Sequence, residues 1–583
     1  MANFPVPTSI VVPALVAAAA YINARCQVYY DLHMLNSIMP TVTRSAWWKL
    51  LFLRFEDKVY TYAQAYDNVL RYSVWLKEHH GIKKEELVAL DFQNTDTLVF
   101  LLFAVWSLGA IPALINYNLS GSPLAHCVQR PGARLVLVDP VVAANFEVVT
   151  PALESQMLRS ESIRPPDDQR EDAMPDDMGA LVFTSGTTGL PKAAIVSWAK
   201  TVIVGGFAAR FIGTRSTDVY YTPMLMGLSN ALSAGATFAI SRKKHGANII
   251  QYVGEICRYL LSAPPAIDPV TGENLGQKHL VRLTFGNGLR PDVWNRFKER
   301  FGIETVAEFY GATEGSFGTW NLSRNDLSMG AIGRNGSLYN LILGWSVAIV
   351  RVDHETELPY RDPNTGFCCK VQPDEPGELM FRLPPKNIKS RFQGYYGDEA
   401  ATSKKIMTSV FSKGDFWFRT GDVVRHDAKN QLYFTDRISD TFRWKSENVS
   451  TAEAAQVLGL HPAISESNVY GVELPQHEGW AGCAAVVLQP SSDLGEDGAP
   501  REEILRELAG HVRAELPKYA LPLFLRVVKG ATLQVTGTNK KQKHHLRNEG
   551  VDPSRTGEDA VFWLKNGTYV KFSAEDWKTL EAG

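Results

Sequence analysis

The sequence of 583 residues is poor in cysteine, close to charge balance and without a long apolar run. Its six cysteines, at positions 26, 127, 257, 368, 369 and 483, form no C-x-x-C pair. That pattern signals neither a disulfide framework nor a zinc cluster, and it points to a reducing, intracellular setting. The adjacent pair Cys368 and Cys369 reads as packing. Lys and Arg total 60 against 62 Asp and Glu, a net charge of −2, so no overall positive field is available to hold nucleic acid. No apolar run reaches the roughly 20 residues of a straight membrane span. Internal repeats and low-complexity tracts are absent. What remains is a globular composition, 45% hydrophobic and 21% charged. At roughly 150 residues per domain the length allows about four domain-equivalents, or one large domain and a small one.

The nearest thing to a span is residues 10–22 (IVVPALVAAAAYI), preceded by no Lys or Arg and followed by Arg25. A secretory signal would need a basic start. The arrangement instead predicts that residues 1–35 associate with a membrane from the cytosolic side, the alternative being a buried helix.

Further along, residues 61–77 have helical apolar spacing, 86–92 read as a strand, 97–110 as a helix and 133–139 as a strand. Strands alternating with helices predict a parallel, doubly wound α/β arrangement. Residues 160–177 are polar and read as a surface loop. After about Asp427 the units shorten, which predicts a large domain over 36–426 and a smaller one over 427–583. In the tail, residues 561–564 and 568–572 flank Asn566-Gly567, a hairpin signal. Ser573, with Asp576 three residues on, caps a short helix.

The chemistry begins where the apolar strand 180–183 (ALVF) runs into Thr184, Ser185, Gly186, Thr187, Thr188, Gly189, Leu190, Pro191 and Lys192. Glycines allow successive N–H groups to turn towards one point, and the hydroxyls add donors, as polyphosphate oxygens require. No Ser or Thr follows the lysine, so this is not the G-x-x-x-x-G-K-[ST] loop.

The run TSGTTGLPKA (184–193) resembles the signature loop of the adenylate-forming superfamily of acyl-CoA synthetases, luciferases and peptide-synthetase adenylation domains. One branch is matched more closely, the fatty acid transport protein / very-long-chain acyl-CoA synthetase family in its fungal form. The segments resembling it are INYNLSGSPLAHC (115–127), QYVGEICRYLL (251–261), EFYGATEG (308–315), RTGDVV (419–424), DRISDTFRWKSENVSTAE (436–453) and TGTNKKQK (536–543). The resemblance implies a large N-terminal domain of doubly wound α/β subdomains with a small barrel-like β part, then a small mobile α+β domain. It implies ATP, Mg²⁺ and CoA as cofactors, and a long- or very-long-chain fatty acid or related carboxylic acid, activated as acyl-AMP and moved to CoA. It also implies attachment to an intracellular membrane.

Carried onto this sequence, the resemblance gives Glu314 the metal and Thr313 the phosphate, in a loop with Tyr310. A single carboxylate beside phosphates suits Mg²⁺. Asp422 takes the ribose diol, Arg437 reaches ribose and phosphate, and the loop at Gly288 lies along the adenine. Lys540 bridges the two anions that react, a role for a mobile ammonium in the transition state. Lys541 and Lys543 stand close enough to compete for that register. Residues 425–427 match the hinge about which the small domain turns.

Three places are shorter than the family pattern: between Trp48 and Phe55, at Met224-Leu225, and at Lys244-His245. At the second, Tyr220-Tyr221-Thr222-Pro223-Met224 lacks the usual aromatic/His element. At the third, residues 236–240 and 248–253 read as neighbouring parallel strands. The seven residues between them are too few for a crossover helix, which predicts an uncovered sheet face. Two other functions stay open: a membrane-associated fatty acid transport or binding protein with weak or lost ligase activity, and an adenylating enzyme that loads a separate carrier.

Overall fold

The computed structural model describes residues 33–34, 51–142, 148–184, 190–222, 225–240, 246–315, 317–353, 356–445, 447–475, 477, 479–489, 492, 499–529 and 543–582. The expected membrane segment therefore lies outside the described residues, except for His33 and Met34. Among the described residues no helix is long and apolar enough to cross a membrane.

Three sheets build the large part. The first has five strands in the order Leu135–Val138, Leu87–Asp91, Ile111–Ile115, Met178–Thr184, Lys192–Ser197. The first four are parallel, and the last closes an antiparallel hairpin with its neighbour. Their near-continuous burial matches the apolar runs, since a parallel strand is covered on both faces. The helix Asp96–Ser107 is apolar on almost every side and buried accordingly. The helix Tyr62–His80 opens with a capping box, Thr61 and Gln64 each satisfying the other's backbone N–H.

The second sheet has eight strands, ordered Gly318–Ser323, Thr305–Gly311, Leu283–Asn287, Ile249–Val253, Val219–Tyr221, Thr237–Ala239, Leu51–Phe55, Lys58–Thr61. It overturns one expectation. Thr237–Ala239 and Ile249–Val253 are not neighbours; Val219–Tyr221 lies between them and pairs in parallel with both. The crossover helix of this region, Leu225–Ala234, joins Val219–Tyr221 to Thr237–Ala239. The link after Ile240 therefore steps over one strand instead of joining adjacent ones, so the argument for an uncovered face loses its premise. Residues 241–245 lie outside the described residues.

The third sheet has six antiparallel strands, with Gln431–Arg437, Phe416–His426 and Gly377–Leu383 at its centre. It stands where a barrel-like part was expected; among the described residues its path has two ends and does not close. The expected hinge falls inside it. Arg425 pairs with Tyr433 and His426 with Leu432, so residues 425–427 are locked in a hairpin. Residues 431–437 likewise belong to this sheet. The chain leaves it after Arg437, through a turn in which the N–H groups of Asp440 and Thr441 both donate to Arg437 O.

From Phe442 onward the side chains join a separate core, which includes Tyr470, Phe524, Phe562 and Tyr569. That core lies on a five-stranded sheet ordered Ile464–Glu473, Trp480–Leu488, Phe524–Val527, Ala560–Lys565, Thr568–Lys571. The tail hairpin forms as its sequence predicts, with Asn566 and Gly567 both at positive φ, 50° and 86°. Ser573 and Asp576 cap the helix Ala574–Ala582 reciprocally.

Candidate functional site

A cavity of about 630 Å³ separates the large part from the small one, and Gly288, Tyr310, Asp422, Arg437 and Lys543 are on its wall. Asp422 and Arg437 face each other as cross-strand partners. Arg437 Nε lies 3.6 Å from Asp422 Oδ1. Tyr310 donates its hydroxyl to Asp422 Oδ2 at 2.5 Å. Burial, then the Asp422 charge, pushes the Tyr310 phenol well above its ordinary range, so it stays a donor. Sequence and structure agree in bringing these three together, with an acceptor and a guanidinium on one wall.

The floor is a loop between the strand Leu283–Asn287 and the helix Pro291–Phe301. Gly288 has φ +80°, and a Cβ on Gly254 would lie 2.0 Å from Gly288 O. Both positions need glycine, one for its backbone angle and one for the approach. Beneath the loop sits Glu308, 1% exposed. It accepts from Gly288 N at 3.1 Å, Leu289 N at 2.8 Å and the Tyr252 hydroxyl at 2.7 Å. Burial pushes its carboxyl up to about 8, against those three donors.

The strands on either side of the hydroxyl-rich loop pair antiparallel. Thr184 and Lys192 are cross-strand partners at its base, and Thr184 Oγ1 donates to Lys192 O at 3.3 Å. Ser185, Gly186, Thr187, Thr188 and Gly189 lie outside the described residues. Lys192 Nζ is 5.4 Å from the Tyr395 ring centroid. The Tyr395 hydroxyl in turn donates to Glu314 Oε1 at 2.8 Å. Tyr395 thus joins the base of one loop to the carboxylate of the other.

Glu314 is 8% exposed, and Thr313 precedes it. Lys200 donates to the carbonyls of Ala312, Thr313 and Gly315. The cavity wall reaches Gly311, so Thr313 and Glu314 continue directly from its edge. Among the described residues no group of three or more His, Cys, Asp or Glu could hold a metal. One buried carboxylate fits Mg²⁺ only together with substrate phosphates, which is how Mg²⁺ is commonly bound.

Lys540 lies outside the described residues, but Lys543 is on the cavity wall. It donates to Thr451 Oγ1 and stands 3.4 Å from Asp440 Oδ2. Burial pulls its ammonium down, while Asp436 and Asp440 oppose that. Asp436, 2% exposed, closes the first turn of the helix Thr451–Leu460. Its Oδ2 accepts from Thr451 N at 2.5 Å, Thr451 Oγ1 at 2.8 Å and Ala452 N at 3.2 Å. Ser450 takes Glu453 N as N-cap. A carboxylate here meets both the orphan donors and the positive end of the helix.

Sequence reasoning passed over Glu308, Lys200 and Tyr395. Glu308 stands two residues before Tyr310 inside a motif already singled out, and a charged residue in an otherwise apolar strand (Thr305–Gly311) was the available signal. Lys200 and Tyr395 carry no local signal, since their partners are more than 80 residues away.

Residues 47–396 match the family described as AMP-binding enzyme, and residues 453–540 match the AMP-binding enzyme C-terminal domain. A very long-chain fatty acid transport protein of Cochliobolus heterostrophus is 35% identical over 90% of this chain and 84% of its own length. Isopenicillin N epimerase component 1 of Hapsidospora chrysogena is 34% identical over 97% of this chain and 96% of its own. Among solved structures, O-succinylbenzoate coenzyme A synthetase of Bacillus subtilis, with ATP and magnesium ion, shares the fold. Its TM-score is 0.65 at 20% identity, over 88% of this chain and 98% of that one.

Proposed function

The chain belongs to the AMP-binding enzyme family, and we propose that it activates a long- or very-long-chain fatty acid, or a related carboxylic acid, with ATP and transfers the acyl group to CoA. The observation that carries this reading is the grip of Tyr310, Asp422 and Arg437 on one wall of the cavity, above the Gly288 loop. It offers a carboxylate for a ribose diol, a guanidinium for ribose and phosphate, and small residues for a flat base.

In the first step a carboxylate oxygen of the acid bonds to the α-phosphorus as the bond to the β-phosphate oxygen breaks, and pyrophosphate leaves. Two anions meet, so positive charge at the junction lowers the barrier. In this reading Lys540 supplies it from the small part, while Thr184, Ser185, Gly186, Thr187, Thr188, Gly189 and Lys192 hold the departing phosphates. Glu314 would hold Mg²⁺, which neutralises charge on the phosphate oxygens, and Thr313 would meet phosphate beside it. In the second step the CoA sulfur bonds to the acyl carbon as the acyl C–O bond to the AMP phosphate breaks, AMP leaves, and the thiol proton passes to water. The small part, with its own core, turns about residues 438–441 to clear the way.

The preference for long acids is supported by the relatives named as very long-chain fatty acid transport proteins. The same names support membrane association. The test is pyrophosphate release across a series of acids, with and without CoA. Release that needs ATP, Mg²⁺ and a long acid, with thioester formed only when CoA is present, upholds the reading. Retained fatty acid binding without release by any acid would replace it with the transport or binding alternative.

A further inference from the structure

We propose that Lys200 is a positioning residue of the reaction centre, clasping the loop that carries Thr313 and Glu314 to the element that follows the hydroxyl-rich loop. The inference rests on the adenylation reading above, which assigns those residues to phosphate and Mg²⁺.

Lys200 opens a short π-helical stretch, Lys200–Val204, just beyond the strand Lys192–Ser197. Such stretches are rare and often mark functional sites. Its ammonium donates to the backbone carbonyls of Ala312, Thr313 and Gly315, the one to Thr313 at 2.5 Å. An ammonium has three donors and no acceptor, so three carbonyls saturate it. Four consecutive residues are thereby bent around one cation.

The residue skipped by the clasp is Glu314, whose carboxylate instead accepts from the Tyr395 hydroxyl at 2.8 Å. With the carbonyls drawn to Lys200 and one carboxylate oxygen drawn to Tyr395, the loop has little freedom to rotate. A metal ligand needs that restraint, because Mg²⁺ tolerates only narrow geometry. Arginine could keep the charge, but its planar fork cannot converge on three carbonyls as a tetrahedral ammonium does.

The test compares the full chain with Lys200→Met and Lys200→Arg by two measurements that need no turnover. The first is hydrogen exchange of the amides of residues 312–315 without nucleotide. Lys200→Met should speed it ~10-fold or more through lost hydrogen bonds, with the strand Leu283–Asn287 unchanged. The second is Mg²⁺·ATP binding by calorimetry. Affinity should fall ~10-fold or more in Lys200→Met, the usual scale of coupled effects, and be partly recovered in Lys200→Arg. Unchanged exchange overturns the clasp. Faster exchange with unchanged Mg²⁺·ATP affinity also overturns the proposal, leaving Lys200 merely structural. Should Lys200→Met not fold, Lys200→Gln, which keeps two donors, is read by the same two measurements. If the Lys200 variants show the expected effects yet wild type releases no pyrophosphate with any acid, the adenylation reading falls and the clasp stands.

Discussion

Substituting Glu308 by Gln replaces one carboxyl oxygen by an NH₂ group at nearly the same volume, and the structure dictates a penalty. Two backbone N–H groups converge on the carboxylate, Leu289 N on Oε1 and Gly288 N on Oε2. A carboxyl group keeps acceptor capacity on both oxygens even when protonated, but an amide has one oxygen and one NH₂ that cannot accept. Whichever way the amide turns, one of the two backbone N–H groups faces another donor. An unsatisfied buried donor costs about 1–3 kcal/mol, which is roughly 5- to 150-fold in an equilibrium constant. The loss should appear as weaker ATP binding, because the Gly288 loop is part of the cavity wall, and as a lower urea midpoint. A second signature is electrostatic. A carboxyl raised to about 8 in the folded chain binds its proton more tightly there than when unfolded. Its stabilising contribution is full below the ordinary Glu value and is lost as pH rises through about 8. The difference between wild type and Glu308→Gln should therefore shrink as pH is raised over that window. Calorimetric ATP titration and urea melts at three pH values measure both. Unchanged ATP affinity together with an unchanged midpoint would refute the argument that Glu308 holds the loop.

Lys540→Ala should abolish pyrophosphate release while leaving ATP binding largely intact, as expected for a contact made in the transition state. If Lys543→Ala does so instead, the role passes to Lys543. Burial, followed by the neighbouring His511, holds His461 below its ordinary value. The unfolded chain then takes up the proton first, so the small part should lose urea resistance as pH falls below about 6.5, and His461→Gln should flatten that slope. Gly567→Ala, at φ 86°, should cost about 1–2 kcal/mol in a denaturant melt, the ordinary penalty for an L-residue in the left-handed region; no change would show that the tail hairpin carries little of the stability.

Local patterns were legible where the physics is local. The strand leading into Thr184, the Asn566-Gly567 turn and the Ser573 cap each depend on a few consecutive residues, and each is where its pattern placed it. Asp422 and Arg437 were found through motifs 15 positions apart that a single hairpin brings face to face. Strand order was not legible, because Thr237–Ala239 and Ile249–Val253 look the same whether adjacent or separated by Val219–Tyr221. Nor was the ladder at residues 425–426, which forms only when 431–437 fold back on them. Buried charges were the hardest to find. Glu308 and Lys200 are indistinguishable in sequence from solvated ones, and what marks them is the set of donors and carbonyls delivered from elsewhere in the chain.

The strand Gln431–Arg437 ends in two residues that serve different masters. Successive side chains on a strand point to opposite faces: Arg437 turns to Asp422 across the hairpin, while Asp436 seats the first turn of Thr451–Leu460. Under the proposed swing of the small part about residues 438–441, the first contact would stand and the second would break. Neighbouring residues of one strand therefore answer to different parts of the chain: a change at Thr451 loosens the seat of the helix Thr451–Leu460 and spares the cavity wall, and one at Arg437 alters the wall and spares the seat.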